Sequence, residues 1–190
     1  MISEDEEQRK GRNKATVINK TYIESGEYRR KFDKITDSPE LNRKLYQLAK
    51  QMLYHRSGTR FEDMYWIDTD TLDVVAQETE KDHEEKVVYS RATRRIIRQH
   101  KNLITIHSHP GSFPPSVEDL ISNHRHGYVH GIVACHDGSV YIYSAEHGIR
   151  AHYFNLKVAD FRDMGYNERE AQVQTLIYLR NEGKIFFKEV

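Results

Sequence analysis

The stretch His107-Ser108-His109-Pro110-Gly111-Ser112-Phe113-Pro114-Pro115-Ser116-Val117-Glu118-Asp119 constrains what this chain can fold into more than any other. It follows a short β-branched run, Leu103-Ile104-Thr105-Ile106, which reads as a strand entering His107. Along an extended segment, side chains at i and i+2 share a face, about 6.5–7 Å apart. His107 and His109 therefore project together, and Ser108 points the other way. Pro110 cannot donate to a sheet ladder, so the strand is expected to end at His109. Pro115-Ser116-Val117-Glu118-Asp119 then reads as a helix start, with Ser116 as N-cap and Asp119 at N3. A loop between them can fold the carboxylate back over the strand end. Two neutral imidazoles and one carboxylate suit zinc, with water as a fourth ligand. Such an open site supports hydrolysis.

Each element also has a plainer reading. A bare H-x-H is commonly a surface or core pair, Asp119 alone is an acid favoured by a helix N-terminus, and Ser116 alone is a cap. The conjunction of strand, H-x-H-P, turn, P-S-x-x-D and helix is what points to a metal. His124 and His126 share the i, i+2 spacing, but on a helix it splays them about 200° apart, and they are not assigned to metal. Cys135, inside the apolar run from Gly131, reads as a small buried hydrophobe rather than a nucleophile.

The chain has 190 residues, 29 basic and 29 acidic, so it carries no formal net charge. No bulk electrostatic case exists for nucleic acid or an anionic membrane. Mean hydropathy is −0.80, no apolar run approaches spanning length, and residues 1–14 lack the apolar stretch of a signal peptide. One cysteine excludes an intrachain disulfide and fits a reducing compartment. The expectation is a cytoplasmic protein.

Residues 1–15 read as a disordered arm and residues 16–58 as a helical N-terminal extension. Residues 59–155 read as the core, and residues 156–190 as a C-terminal helix and tail packed on it. Ser38 caps a helix with Pro39 at its first position, Leu41, Leu45, Leu48, Met52 and Leu53 recur at helical spacing, and Gly58 ends it. Residues 61–67 and 72–76 form a hairpin around Asp68-Thr69-Asp70-Thr71. Ser90 caps a helix to His100 with Ala92, Ile96 and Ile97 inward. Arg91, Arg94, Arg95 and Arg98 lie largely outward, as a solvated face or a cup for an acidic partner. A helix over 117–126 and strands over 129–134 and 140–144 follow. Asn167 caps a last helix, Gly183 stops it, and residues 185–187 form an edge strand or a docked tail. This order predicts a mixed α/β layer architecture.

His107-Ser-His109-Pro with Pro115-Ser116-x-x-Asp119 resembles the JAMM signature of JAB/MPN-domain zinc metalloproteases, over about residues 60–150. That family includes deubiquitinating isopeptidases and prokaryotic or phage-type relatives. The resemblance implies a cytidine-deaminase-like sheet flanked by helices, with Zn2+ held by His107, His109 and Asp119. Nine residues separate His109 from Asp119, one fewer than the commonest family spacing, and the missing one falls within residues 111–114. The resemblance also implies a glutamate on an earlier strand as general base and acid. Glu62, 45 positions before His107, fits best; Asp63, Glu78 and Glu80 are the other candidates. Ser116 resembles the residue whose hydroxyl stabilises the tetrahedral oxyanion, a role in competition with N-capping.

The leading expectation is a metallo-isopeptidase or peptidase acting on a protein or peptide, with the tail of a ubiquitin-like protein one candidate. A non-catalytic MPN-type scaffold that binds a protein partner is the alternative. A deaminase is disfavoured, because the P-C-x-x-C pattern of such sites is absent.

Overall fold

β-Branched and aromatic side chains dominate the segments that become strands. The computed structural model describes residues 16–80 and 83–190; the expected arm at residues 1–15 lies outside them. The chain runs α1 (Lys20–Ile23), α2 (Gly26–Arg30), α3 (Pro39–Arg56), β1 (Met64–Asp68), β2 (Val74–Glu78) and α4 (Arg91–Ile97). It continues through β3 (Leu103–His109), α5 (Val117–His126), β4 (His130–Cys135), β5 (Val140–Ser144), α6 (Ala151–Asp163), α7 (Glu168–Asn181) and β6 (Phe186–Glu189). Among the described residues, six strands form one mixed sheet in the order β2-β1-β3-β4-β5-β6. β3 and β4 are parallel and every other pair is antiparallel. The parallel pair needs a crossover, which α5 supplies.

The period-two alternation sorts side chains between two helical layers. Tyr65, Ile67, Ile104, Ile106, Ile132 and Ile142 face one way, packed with Leu45, Ala49, Met52 and Leu53 of α3 and with Ile23, Tyr28 and Phe32 of the N-terminal segment. Residues 39–56 therefore form a full layer of the core. On the opposite face, Met64 and Trp66 pack with Ile97 of α4, and Val133, Tyr141 and Tyr143 pack with Leu120, Phe154, Leu176 and Leu179. Burying a large apolar side chain stabilises by about 1.5–3 kcal/mol, so each layer is held mainly by such contacts.

Local signals account for most helix ends. Ser38, Ser90, Ser116 and Asn167 each accept a backbone N–H of the first turn, and Gly127 closes α5 in the left-handed conformation at φ 64°. The turn after β1 is held by Asp68 Oδ1, which accepts from the Asp70 and Thr71 amides. Several expectations need correction. α4 ends at Ile97 rather than His100, and Thr93 is buried in place of Ala92, which is exposed. A boundary at residues 155/156 falls inside α6, a helix the sequence reading lacked. Residues 186–189 do pair with β5, as an edge strand.

Candidate metal centre

β3 alternation puts His107 and His109 on the face covered by α4 to α7. His107 pairs with Met64 of β1 and Val133 of β4, and His109 with Cys135. Ser108 points to the other face and is fully buried; its Oγ accepts from the Asp63 amide at 3.0 Å, and its own amide donates to Asp63 O. The imidazole Nε2 atoms of His107 and His109 lie 2.9 Å apart. Asp119 Oδ1 is 3.4 Å from the first and Oδ2 3.6 Å from the second. One ligand atom from each residue lies within 4.8 Å of the others. The sequence-predicted set is therefore brought together.

The donor set suits a cation. His109 Nδ1 donates to the Phe113 carbonyl at 2.8 Å, which fixes the proton on Nδ1 and leaves the Nε2 lone pair facing His107 and Asp119. Burial, with the charge of His107 next, pushes the His109 pKa down to about 4, so the ring is neutral near pH 7. His107 is buried too, which opposes its charge, but the Asp119 carboxylate outweighs this and raises its pKa. A cation between these groups is favoured for the same reason: one anion and two nitrogens focus on a single point. His107 Nδ1 is buried without a hydrogen-bond partner among the described residues. There the set departs from the usual ligand histidine, whose second nitrogen donates to a fixed acceptor.

Asp119 is aimed by the start of α5. Its Oδ2 accepts from the Ser116 amide and hydroxyl, both at 2.8 Å, and its amide donates to Ser116 Oγ at 3.2 Å. This capping box holds Oδ2 and leaves Oδ1 as the oxygen for a metal. Burial works against the charge of Asp119, yet both histidines and these hydrogen bonds hold its carboxyl well below the usual range. The Ser116 proton is committed to Asp119 in this arrangement. Ser116 positions the ligand here, and serving as an oxyanion donor would break that bond.

The loop between the histidines and Asp119 is clamped from far along the chain. In α7, Arg169 Nε donates to Ser112 O at 2.8 Å, and Gln172 Nε2 donates to Pro114 O and Pro115 O at 3.2 and 3.0 Å. Neither residue belongs to a recognisable motif, and only the tertiary fold brings them to the loop. If the three donors hold a divalent cation, the Arg169→Ala/Gln172→Ala double variant is expected to lower its affinity roughly tenfold, as loss of outer supports does at known metal sites. Competition with a chromophoric chelator measures this; unchanged affinity would remove the clamp from the site.

Glu62, two residues before β1, reaches the same place. Continuing the β1–β3 register two residues past Met64 sets it across from His109, on the face carrying both histidines. Glu62, His107, His109, Ser116 and Asp119 line one cleft of about 1180 Å³. Burial, opposed by His107 and reinforced by Asp119, raises the Glu62 pKa to about 8. The other base candidates do not line this cleft. Asp63 is buried beneath the opposite sheet face against Arg56 and His55. Glu78 accepts from the Ser90 amide at 2.7 Å, and Glu80 is exposed.

Cys135 is fully buried, and burial pushes its thiol pKa up, away from nucleophilic chemistry. His124 bonds Ala145 O and His126 stacks on Tyr128, so neither joins the donor set. Comparison of the chain with protein-family models, curated proteins and solved structures gives no match in any of the three.

Proposed function

We propose that this chain is a zinc-dependent metallo-isopeptidase or peptidase of the JAB/MPN type, hydrolysing an amide bond in a protein or peptide. The observation that carries the reading is the convergence of His107, His109 and Asp119 in a solvent-reachable cleft with Glu62 beside them. A zinc ion held there supplies Lewis acidity to a scissile carbonyl and makes water a better acid near neutral pH.

The chain's own groups do the rest. Neutral His109, and His107 once a cation displaces its proton, offer nitrogen lone pairs, and Asp119 Oδ1 offers an anion oriented by Ser116. Ionised Glu62 takes the proton of the attacking water and returns it to the departing amine. Its raised pKa makes it a stronger base than an ordinary carboxylate and a usable acid once protonated. The cleft walls hold the substrate chain against these groups, which lowers the entropic part of the barrier. The tail of a ubiquitin-like protein is one substrate that reaches such a cleft, because a flexible C-terminal segment can thread where a folded domain cannot.

Metal quantification on purified protein, then incubation with ubiquitin-like C-terminal fusions and peptidoglycan-type peptides, tests the reading. The expected result is about one zinc per chain and amide cleavage that chelation abolishes and zinc restores. Protein that binds no zinc and cleaves nothing would favour the scaffold alternative.

A further inference from the structure

The cleft extends beyond the metal donors. α5 lines it from end to end: Asp119, Ser122, Arg125 and His126 recur at helical spacing and all face it. Arg94 of α4 and Arg98, its C-cap, four residues apart, line the same cleft, and Arg98 lies near enough to His126 to act on its charge. Other charged groups line the cleft too: Glu85, Lys86, Glu118 and Glu168. Asp119 and Glu62 sit at the donor end, and Arg60 of the wall is held by Glu84 and Glu85 at 3.5 and 2.5 Å. Arg94, Arg98 and Arg125 form no ion pair with any acidic side chain among the described residues.

Guanidinium groups that no carboxylate pairs raise the local potential and attract anions. His126 registers that field: burial, then the charges of Arg125 and Arg98, lowers its pKa. With net charge zero across the chain, this concentration is local, and it lies in the cleft that holds the donor set. An arginine fork matches a carboxylate in two parallel hydrogen bonds.

We infer that Arg94, Arg98 and Arg125 form a subsite for a carboxylate of the substrate chain, so that a peptide carrying a carboxylate there is preferred. This rests on the amide-hydrolase reading for its link to cleavage, but not for binding. From Asp119 to Arg125 α5 rises about 9 Å, the span of roughly three residues of extended chain. The carboxylate therefore sits about three residues from the bond to be cut. It comes from acidic side chains or from a free C-terminus.

Fluorescence anisotropy on the full chain in excess chelator reads the subsite without cleavage. Three labelled decapeptides serve as probes: a Glu-rich one with an amidated C-terminus, its Gln-for-Glu counterpart, and that counterpart with a free C-terminal carboxylate. One of the two anionic peptides is expected to bind about tenfold tighter than the neutral one, the combined effect of two or three exposed charge pairs, with the preference weakening at high salt. Arg94→Gln/Arg98→Gln should erase the preference, and Arg162→Gln/Arg180→Gln, an exposed pair of equal charge loss on α6 and α7, should keep it. Equal affinity for all three peptides, or equal loss in both double variants, overturns the subsite. Discrimination that persists in chelator while zinc-loaded protein cleaves nothing upholds the subsite and removes the hydrolase reading instead.

Discussion

Glu62→Gln is expected to leave zinc binding intact and to slow amide cleavage by about 10²–10⁴-fold, the usual contribution of a positioned acid–base group. The amide keeps the size of the carboxyl and can still accept a hydrogen bond, but it cannot take a proton. Glu62 belongs to none of the metal-donor positions, so zinc stoichiometry and affinity should match wild type. Wild-type cleavage should also have an acidic limb that reports ionisation of Glu62. That limb belongs below pH 8, because a divalent cation at the donors favours the carboxylate form.

In chelated protein the same group makes a thermal signature. Folded Glu62 keeps its proton up to about pH 8, whereas the reference carboxyl loses it near 4.5. Between those values the folded form binds the extra proton, so this group's contribution to stability falls as pH rises. The melting temperature of the chelated Glu62→Gln variant should lack that component of the decline. A variant that cleaves a working substrate at the wild-type rate would remove Glu62 from the chemistry.

How legible these features were depends on whether their causes are local. H-x-H on a strand and a Ser-x-x-Asp capping box are decided within a few residues, so His107, His109 and Asp119 could be grouped before any fold was known. α6 had no such signature. Arg150 makes no side-chain cap, Phe154 is the one buried residue of the helix, and Leu156 stays about half exposed; a weak apolar stripe without a cap leaves little to detect. The stripe of α3 was readable, but the sheet face it covers is a tertiary fact. Arg169 and Gln172 act on a loop more than fifty residues earlier. Arg94 and Arg98 show the same limit. A helix face rich in arginine reads alike whether it faces bulk water or, as here, a cleft shared with a second helix.

The largest stability effect is expected behind the sheet, at Asp63. Its carboxylate is fully buried between Arg56 Nε at 2.6 Å and His55 Nδ1 at 2.7 Å, and Arg56 is fully buried too. Arg56 also donates to the carbonyls of Thr79 and Glu80. Asp63→Ala leaves the guanidinium in the interior without its counter-charge, which costs about 3–5 kcal/mol. A domain of this size has only about 5–15 kcal/mol in total, so the urea midpoint of the chelated protein should fall steeply. Removing both charges is gentler: Arg56→Met/Asp63→Leu leaves no orphaned ion and should recover much of that loss. A double variant as unstable as Asp63→Ala would mean that the pair is needed for its hydrogen bonds rather than its mutual neutralisation. The position matters for the cleft as well. Asp63 directly follows Glu62, and its backbone exchanges two hydrogen bonds with Ser108, the residue between the two histidines. The buried ion pair therefore ties the residue after Glu62 to the end of α3, while its backbone holds the end of β3. Even where the double variant refolds to near-native stability, loss of that tie to α3 should lower cleavage more than zinc affinity, because Glu62 directly precedes Asp63 while the candidate metal donors stand on β3 and α5.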